Sequence, residues 1–125
     1  MDTLKLLFDR ADALNGYWNL YIAVALGVLG LMASGKSFAH LRQTKALLTI
    51  AFVVFALSNL EVLIATNEQR RAIAALIDPA YRAAAQHAGP PENWKLIAFH
   101  LTLDLVVVLC IWLVKWHSLK DESSA

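Results

Sequence analysis

The sequence predicts an all-α membrane protein, a single membrane domain over residues 1–125 with three transmembrane helices, an N-terminal amphipathic helix and a partly helical loop. Three observations carry that prediction: the composition, three apolar runs near spanning length, and the aromatic residues at the ends of those runs. Hydrophobic residues make up 58% of the 125 and charged residues 17%, with a mean hydropathy of +0.52. Soluble domains carry roughly 25% charged residues. A chain this short holds at most one soluble domain, and the runs leave few residues for a separate core, which excludes a multidomain enzyme. The formal net charge of +1 offers no basic excess for tracking phosphates, so no nucleic-acid partner is expected. The lone cysteine, Cys110, lies inside an apolar run and allows neither an internal disulfide nor a cysteine metal site.

The leading segment, residues 2–14, repeats Leu4, Leu7, Phe8, Ala11 and Leu14 at helical spacing, with Asp2, Lys5, Asp9, Arg10 and Asp12 elsewhere. That pattern describes an amphipathic helix on the membrane surface or on a partner. Asn15-Gly16 is expected to break it. The acidic residues ahead of the first apolar run are unlike a basic leader region, so a cleaved signal peptide is not expected. The first span is read from Trp18 to Ala33, the second from Ala46 to Thr66 and the third from Lys95 to Val114. At a rise of about 1.5 Å per residue each crosses, or nearly crosses, a hydrocarbon layer of about 30 Å. Tyr17, Trp18, Trp94, Trp112 and Trp116 mark span ends, as interfacial aromatic residues do.

Between the second and third spans lie 28 residues, Asn67 to Trp94. Glu68 to Ile77 prolongs the second helix in this reading. Asp78-Pro79 caps a further short helix reaching Ala88, which Gly89-Pro90-Pro91 ends. A tail, residues 115–125, follows the third span, and only its last residues, Lys120 to Ala125, read as disordered. Basic residues split almost evenly between the two sides of the membrane. The short loop Ser34 to Lys45, however, holds Lys36, Arg42 and Lys45 and no acid. By the positive-inside rule this places the loop and the C-terminus inside and the N-terminus outside, the membrane being read as a bacterial cytoplasmic membrane.

Gly30 to Ser37 spells G-x-x-x-x-G-K-S, the nucleotide-binding pattern. Cradling phosphate requires that loop to follow a buried strand and open a helix. Here the first glycine sits in a membrane helix and no acidic magnesium-binding strand is available, so no nucleotide is expected. Ala23, Gly27, Gly30 and Ser34 instead mark one side of the first helix as a small-residue packing face.

Polar and ionisable groups inside spans are costly, which singles out Asn59 and Glu61 in the second span and His100 and Asp104 in the third. Counting from the long-loop boundary sets Glu61 and His100 at equal depth, about 7–8 Å in, and predicts that they pair, with Asn59 and Tyr21 supplying hydrogen bonds. His100 and Asp104, four apart, share a face. Such a cluster serves helix packing, a proton or cation path, or a metal site of Glu61, His100 and Asp104, the last a thin ligand set. His40, His87 and His117 fall outside the spans, so bis-histidine haem is not expected, nor is any other cofactor, and no nucleophile with a neighbouring base emerges.

The preferred functional expectation is a non-enzymatic accessory or assembly subunit, or a homo-oligomer. Its partners would be the lipid bilayer and either another membrane protein or copies of itself. A proton or cation transport component using Glu61, His100 and Asp104 is the alternative. A holin-like pore-forming protein is a further one, resting on three-span architecture alone.

Overall fold

The computed structural model describes residues 2–83 and 89–113. It is all-helical, with three helices long and apolar enough to span a membrane: α1 (Thr3–Ala33), α2 (Arg42–Ala75) and α3 (Asn93–Leu113). Short 3₁₀ turns at Ser37–His40 and Pro79–Tyr81 interrupt the connections. The Asp78 side chain accepts from the Ala80 backbone N–H at 2.9 Å, and Pro79 follows it, as the sequence predicts for a cap. Arg82 and Ala83 continue in helical conformation. The rest of the helix expected to reach Ala88 lies outside the described residues, as do His87, Trp116, His117 and the tail. The glycine that closes α1 is Gly35, whose φ of 71° is the left-handed conformation that favours glycine.

Hydrogen bonds fix the register of the three helices. Along the antiparallel α2–α3 seam, Asn67 meets Asn93, Asn59 meets His100 and Thr49 meets Trp112. Across α1 and α2, Asn59 bonds the Tyr17 carbonyl, and Tyr21 packs between Phe52 and Phe55. Trp94 and Trp112 stand at the two ends of α3, eighteen residues or about 27 Å apart, close to a hydrocarbon thickness of about 30 Å. Both rings are exposed, and each indole N–H has a polar partner, Glu92 and Thr49 respectively. That is the environment of a bilayer interface.

This register corrects the sequence reading of the N-terminus. The expected break at Asn15-Gly16 does not occur: α1 is continuous from Thr3. Because Trp18 lies beside Phe99 and His100, and Tyr21 bonds Asp104, α1 is level with Trp94 near Asp12. Asn15 and Gly16 therefore sit within the bilayer, where a broken helix would leave backbone N–H and C=O groups without partners. That penalty exceeds the cost of roughly 0.5–1 kcal/mol for a glycine inside a helix. The amphipathic segment is thus the first turns of α1 and not a separate surface helix. Leu7 and Leu14 of its apolar stripe are buried, whereas Leu4 and Phe8 remain exposed.

The predicted prolongation of the second span is present, since α2 runs on to Ala75. The start of α1 and the end of α2 consequently project together beyond the belt of Trp94. Leu7, Ile77 and Arg70 are buried there, and desolvation lowers the pKa of the Arg70 guanidinium. Asp2, Leu4, Phe8, Leu76 and Tyr81 line an open groove of about 730 Å³ at this end. Within the bilayer the core divides in two. Leu14, Leu60, Leu63 and Leu96 pack on the long-loop side of the polar residues. Tyr21, Ala25, Met32, Phe52, Ala56, Val107 and Ile111, with Ala39 of the short loop, form the other cluster.

Candidate functional site

Four side chains from three helices form a continuous hydrogen-bonded chain inside the bilayer. On α2, the Asn59 Nδ2 donates to the Tyr17 carbonyl at 3.2 Å, which orients the amide so that Oδ1 faces inward. His100 Nε2 lies 3.3 Å from that oxygen, and its Nδ1 lies 2.9 Å from Asp104 Oδ2, one helical turn along α3. The other carboxyl oxygen, Oδ1, accepts from the Tyr21 hydroxyl of α1 at 2.7 Å. Helical spacing sets up the His100–Asp104 pair, and the antiparallel packing supplies Asn59 and Tyr21.

The proton count follows from the partners. Asn59 Oδ1 can only accept, so His100 Nε2 must carry hydrogen. At Nδ1 two arrangements satisfy both groups: an imidazolium donating to a carboxylate, or a neutral imidazole accepting from a protonated Asp104. The two differ only in which side of a 2.9 Å hydrogen bond holds one proton. Either way the pair is neutral overall, which limits the cost of keeping it in an apolar medium.

Aromatic rings enclose this pair. The His100 ring is 4.5 Å from that of Tyr21 and 5.5 Å from that of Trp18, centroid to centroid. Phe99 flanks Trp18, while Phe52 and Phe55 flank Tyr21. His100 is 0% exposed and Asn59 5%. The surrounding side chains keep lipid and water off the imidazole.

Of the predicted cluster, the structure brings together Tyr21, Asn59, His100 and Asp104 but not Glu61. Glu61 is exposed on the outer face of α2, and the polar partners of His100 are Asn59 and Asp104 instead. The α2–α3 register sets the two level, as the depth count predicts. Azimuth decides against the pair. Residues two apart on a helix point about 200° away from each other, so with Asn59 turned inward Glu61 must turn outward. The three-ligand metal set of Glu61, His100 and Asp104 is therefore not assembled, and no group of three metal-ligating side chains converges among the described residues.

The small-residue face is placed differently as well. Ala23, Gly27, Gly30 and Ser34 are all exposed, and a Cβ built on Gly27 or Gly30 meets nothing within 4 Å. Among the described residues no helix packs there, because the buried stripe of α1 is Leu7, Leu14, Tyr21, Ala25 and Met32. Of the glycines in the nucleotide-like pattern, Gly30 is inside α1, and Gly35 turns the chain toward the 3₁₀ turn at Ser37.

A second polar junction escaped sequence reasoning. Asn67, 0% exposed at the end of the second span, donates through Nδ2 to the Pro91 carbonyl at 2.8 Å and to Asn93 Oδ1 at 2.7 Å. Asn93 in turn donates to Glu68 Oε1 at 3.3 Å. This ties the start of α3 to α2 and sets the height at which His100 meets Asn59. The available signal was an asparagine eight residues from Asn59, about 80° round the helix and within the roughly 100° stripe that a helix buries. Comparison with protein-family models, curated proteins and solved structures finds no match for this chain.

Proposed function

We propose that this chain is a non-enzymatic accessory or assembly subunit of a membrane, a rigid three-helix scaffold on which another membrane protein is built or held. The observation that carries this reading is the closure of the Tyr17–Asn59–His100–Asp104–Tyr21 network. His100 Nε2 meets Asn59 of α2 and Asp104 Oδ1 meets Tyr21 of α1, while His100 Nδ1 and Asp104 Oδ2 engage each other within α3, and the two cross-helix bonds specify one packing arrangement. A transported cation would need acceptor atoms free to replace its hydration shell, and the acceptors of this network, Asn59 Oδ1 and the two Asp104 carboxyl oxygens, are engaged by its own members. The chain sits in this reading in a bacterial cytoplasmic membrane, with the short cationic loop inside and the N-terminus outside.

The rival reading is a proton path, favoured by the proton that can reside on either His100 Nδ1 or Asp104 Oδ2. One reconstitution separates the two. Proteoliposomes carrying the chain and a trapped pH-sensitive dye should relax an imposed pH gradient no faster than empty vesicles, while His100→Gln should lower the thermal midpoint in detergent. Flux through the unaltered chain that vanishes in a well-folded His100→Gln variant would establish the proton path instead.

A further inference from the structure

The inward network leaves one ionisable side chain of the spans without a place. Glu61 lies five residues inside Thr66, which the α2–α3 register sets level with Trp94, so its Cα is about 7–8 Å within the belt. It is exposed, and no hydrogen bond or ion pair reaches it from the described residues. Its neighbours on that face are apolar or small: Val54, Leu57 and Val62 are exposed with Ser58 and Ala65, and the Ser58 hydroxyl is satisfied by the Val54 carbonyl at 2.9 Å.

Escape to the headgroups is unfavourable. Side chains leave an α-helix tilted toward its N-terminus, and the N-terminus of α2 is at the short-loop side. The Glu61 carboxyl is therefore directed toward the bilayer centre and away from the nearer interface, against the direction in which it would have to snorkel. A carboxylate held in hydrocarbon requires a donor. Among the described residues none stands at that height: Arg10 and Lys95 lie at the level of the belt, and Lys95 already pairs with Glu92 at 3.6 Å. A second copy in the same orientation brings another carboxylate and, among the described residues, no cation at that height.

We propose that this face of α2 binds a transmembrane helix of a different protein that presents a lysine or arginine level with Glu61. The apolar and small side chains around Glu61 let that helix approach closely, and the carboxylate and cation neutralise one another out of water. The partner so defined rests on the accessory role proposed above and gives it a docking face opposite the buried network.

The test uses the full chain in phosphatidylcholine vesicles, with a donor dye at its C-terminus and acceptor-labelled synthetic peptides. One is a Leu/Ala transmembrane peptide with a single lysine placed level with Glu61; its twin has leucine there. The lysine peptide should bind the unaltered chain at least about ten-fold more tightly than its twin, a margin of about 1.4 kcal/mol. Glu61→Gln should shrink that ratio below about two-fold without moving the thermal midpoint. Equal binding of the two peptides, or a ratio that survives Glu61→Gln, would overturn the proposal. So would energy transfer between copies of the chain that Glu61→Gln abolishes, which would give the face to a second copy. Flux in the proteoliposome assay overturns the accessory role itself; loss of the lysine dependence overturns only this partner.

Discussion

The two halves of the transmembrane bundle are held by different physics. On the long-loop side, α1, α2 and α3 meet through Tyr17, Asn59, His100, Asp104 and Tyr21, with Asn67 and Asn93 above them. On the short-loop side the contacts are Ala25, Met32, Phe52, Ala56, Val107 and Ile111, and the inter-helix hydrogen bond near that end is Trp112 to Thr49. In lipid, apolar side chains gain little by leaving one hydrocarbon for another, so the second half coheres through dispersion and shape. The first half is directional: an asparagine amide oriented by a backbone carbonyl admits a single register. The contrast assigns specificity to one leaflet and close packing to the other.

The directional half should be the more fragile to single changes. Replacing His100 with leucine strands Asp104 as an uncompensated carboxyl beside Tyr21, and a loss of about 3–5 kcal/mol is expected in detergent unfolding. In the dispersive half, Phe52→Ala removes a side chain that is 2% exposed. The expected loss is about 2 kcal/mol, below the 3–5 typical of a soluble core because lipid tails or detergent can refill part of the space. Finding Phe52→Ala the costlier of the two would reverse the assignment of roles.

Within the network, Tyr21→Phe deletes one donor and keeps the ring that packs against His100, Phe52 and Phe55. Asp104 Oδ1 then loses its partner while Oδ2 keeps His100. A loss of about 0.6–1.7 kcal/mol is expected, the range of inter-helix hydrogen bonds in membranes. Measured in an Asp104→Asn background, the same change should cost less, because the charged acceptor that makes the bond strong is gone.

Sequence reasoning reached the architecture and most of the site because both are written in quantities that run along one chain. Apolar length gives the spans, flanking tryptophans give their ends, and the rarity of polar residues inside them picks out Asn59, His100 and Asp104. Two quantities do not run along one chain. One is rotation about the helix axis relative to a neighbour, which turned Glu61 outward and exposed the Ala23–Gly27–Gly30–Ser34 face. The other is helix offset: only after Trp18 is set beside His100 do Asn15 and Gly16 fall inside the bilayer, where their turn-forming preference is overruled. Asn67 was passed over because a polar residue at a span end is unremarkable until its partners on Pro91 and Asn93 are known.

The smallest effect is expected where depth and rotation give opposite answers. Glu61 and His100 are level along the membrane normal, and if level alone mattered, Glu61→Gln and His100→Gln would be coupled. Contacting residues in one network typically show interaction energies of about 0.5–3 kcal/mol. In the structure the partners of His100 are Asn59 and Asp104, its ring neighbours are Trp18 and Tyr21, and Glu61 is on the far side of α2 from all of them. With no shared partner the two changes should add to within about 0.3–0.5 kcal/mol in a double-mutant cycle on the detergent-purified chain. His100→Gln should carry nearly all of the loss, because Glu61 is exposed and has no hydrogen bond or ion pair among the described residues. Coupling well above that limit would require α2 to be turned so that Glu61 looks inward, which would expel Asn59 and undo the oriented amide on which the proton count of His100 depends.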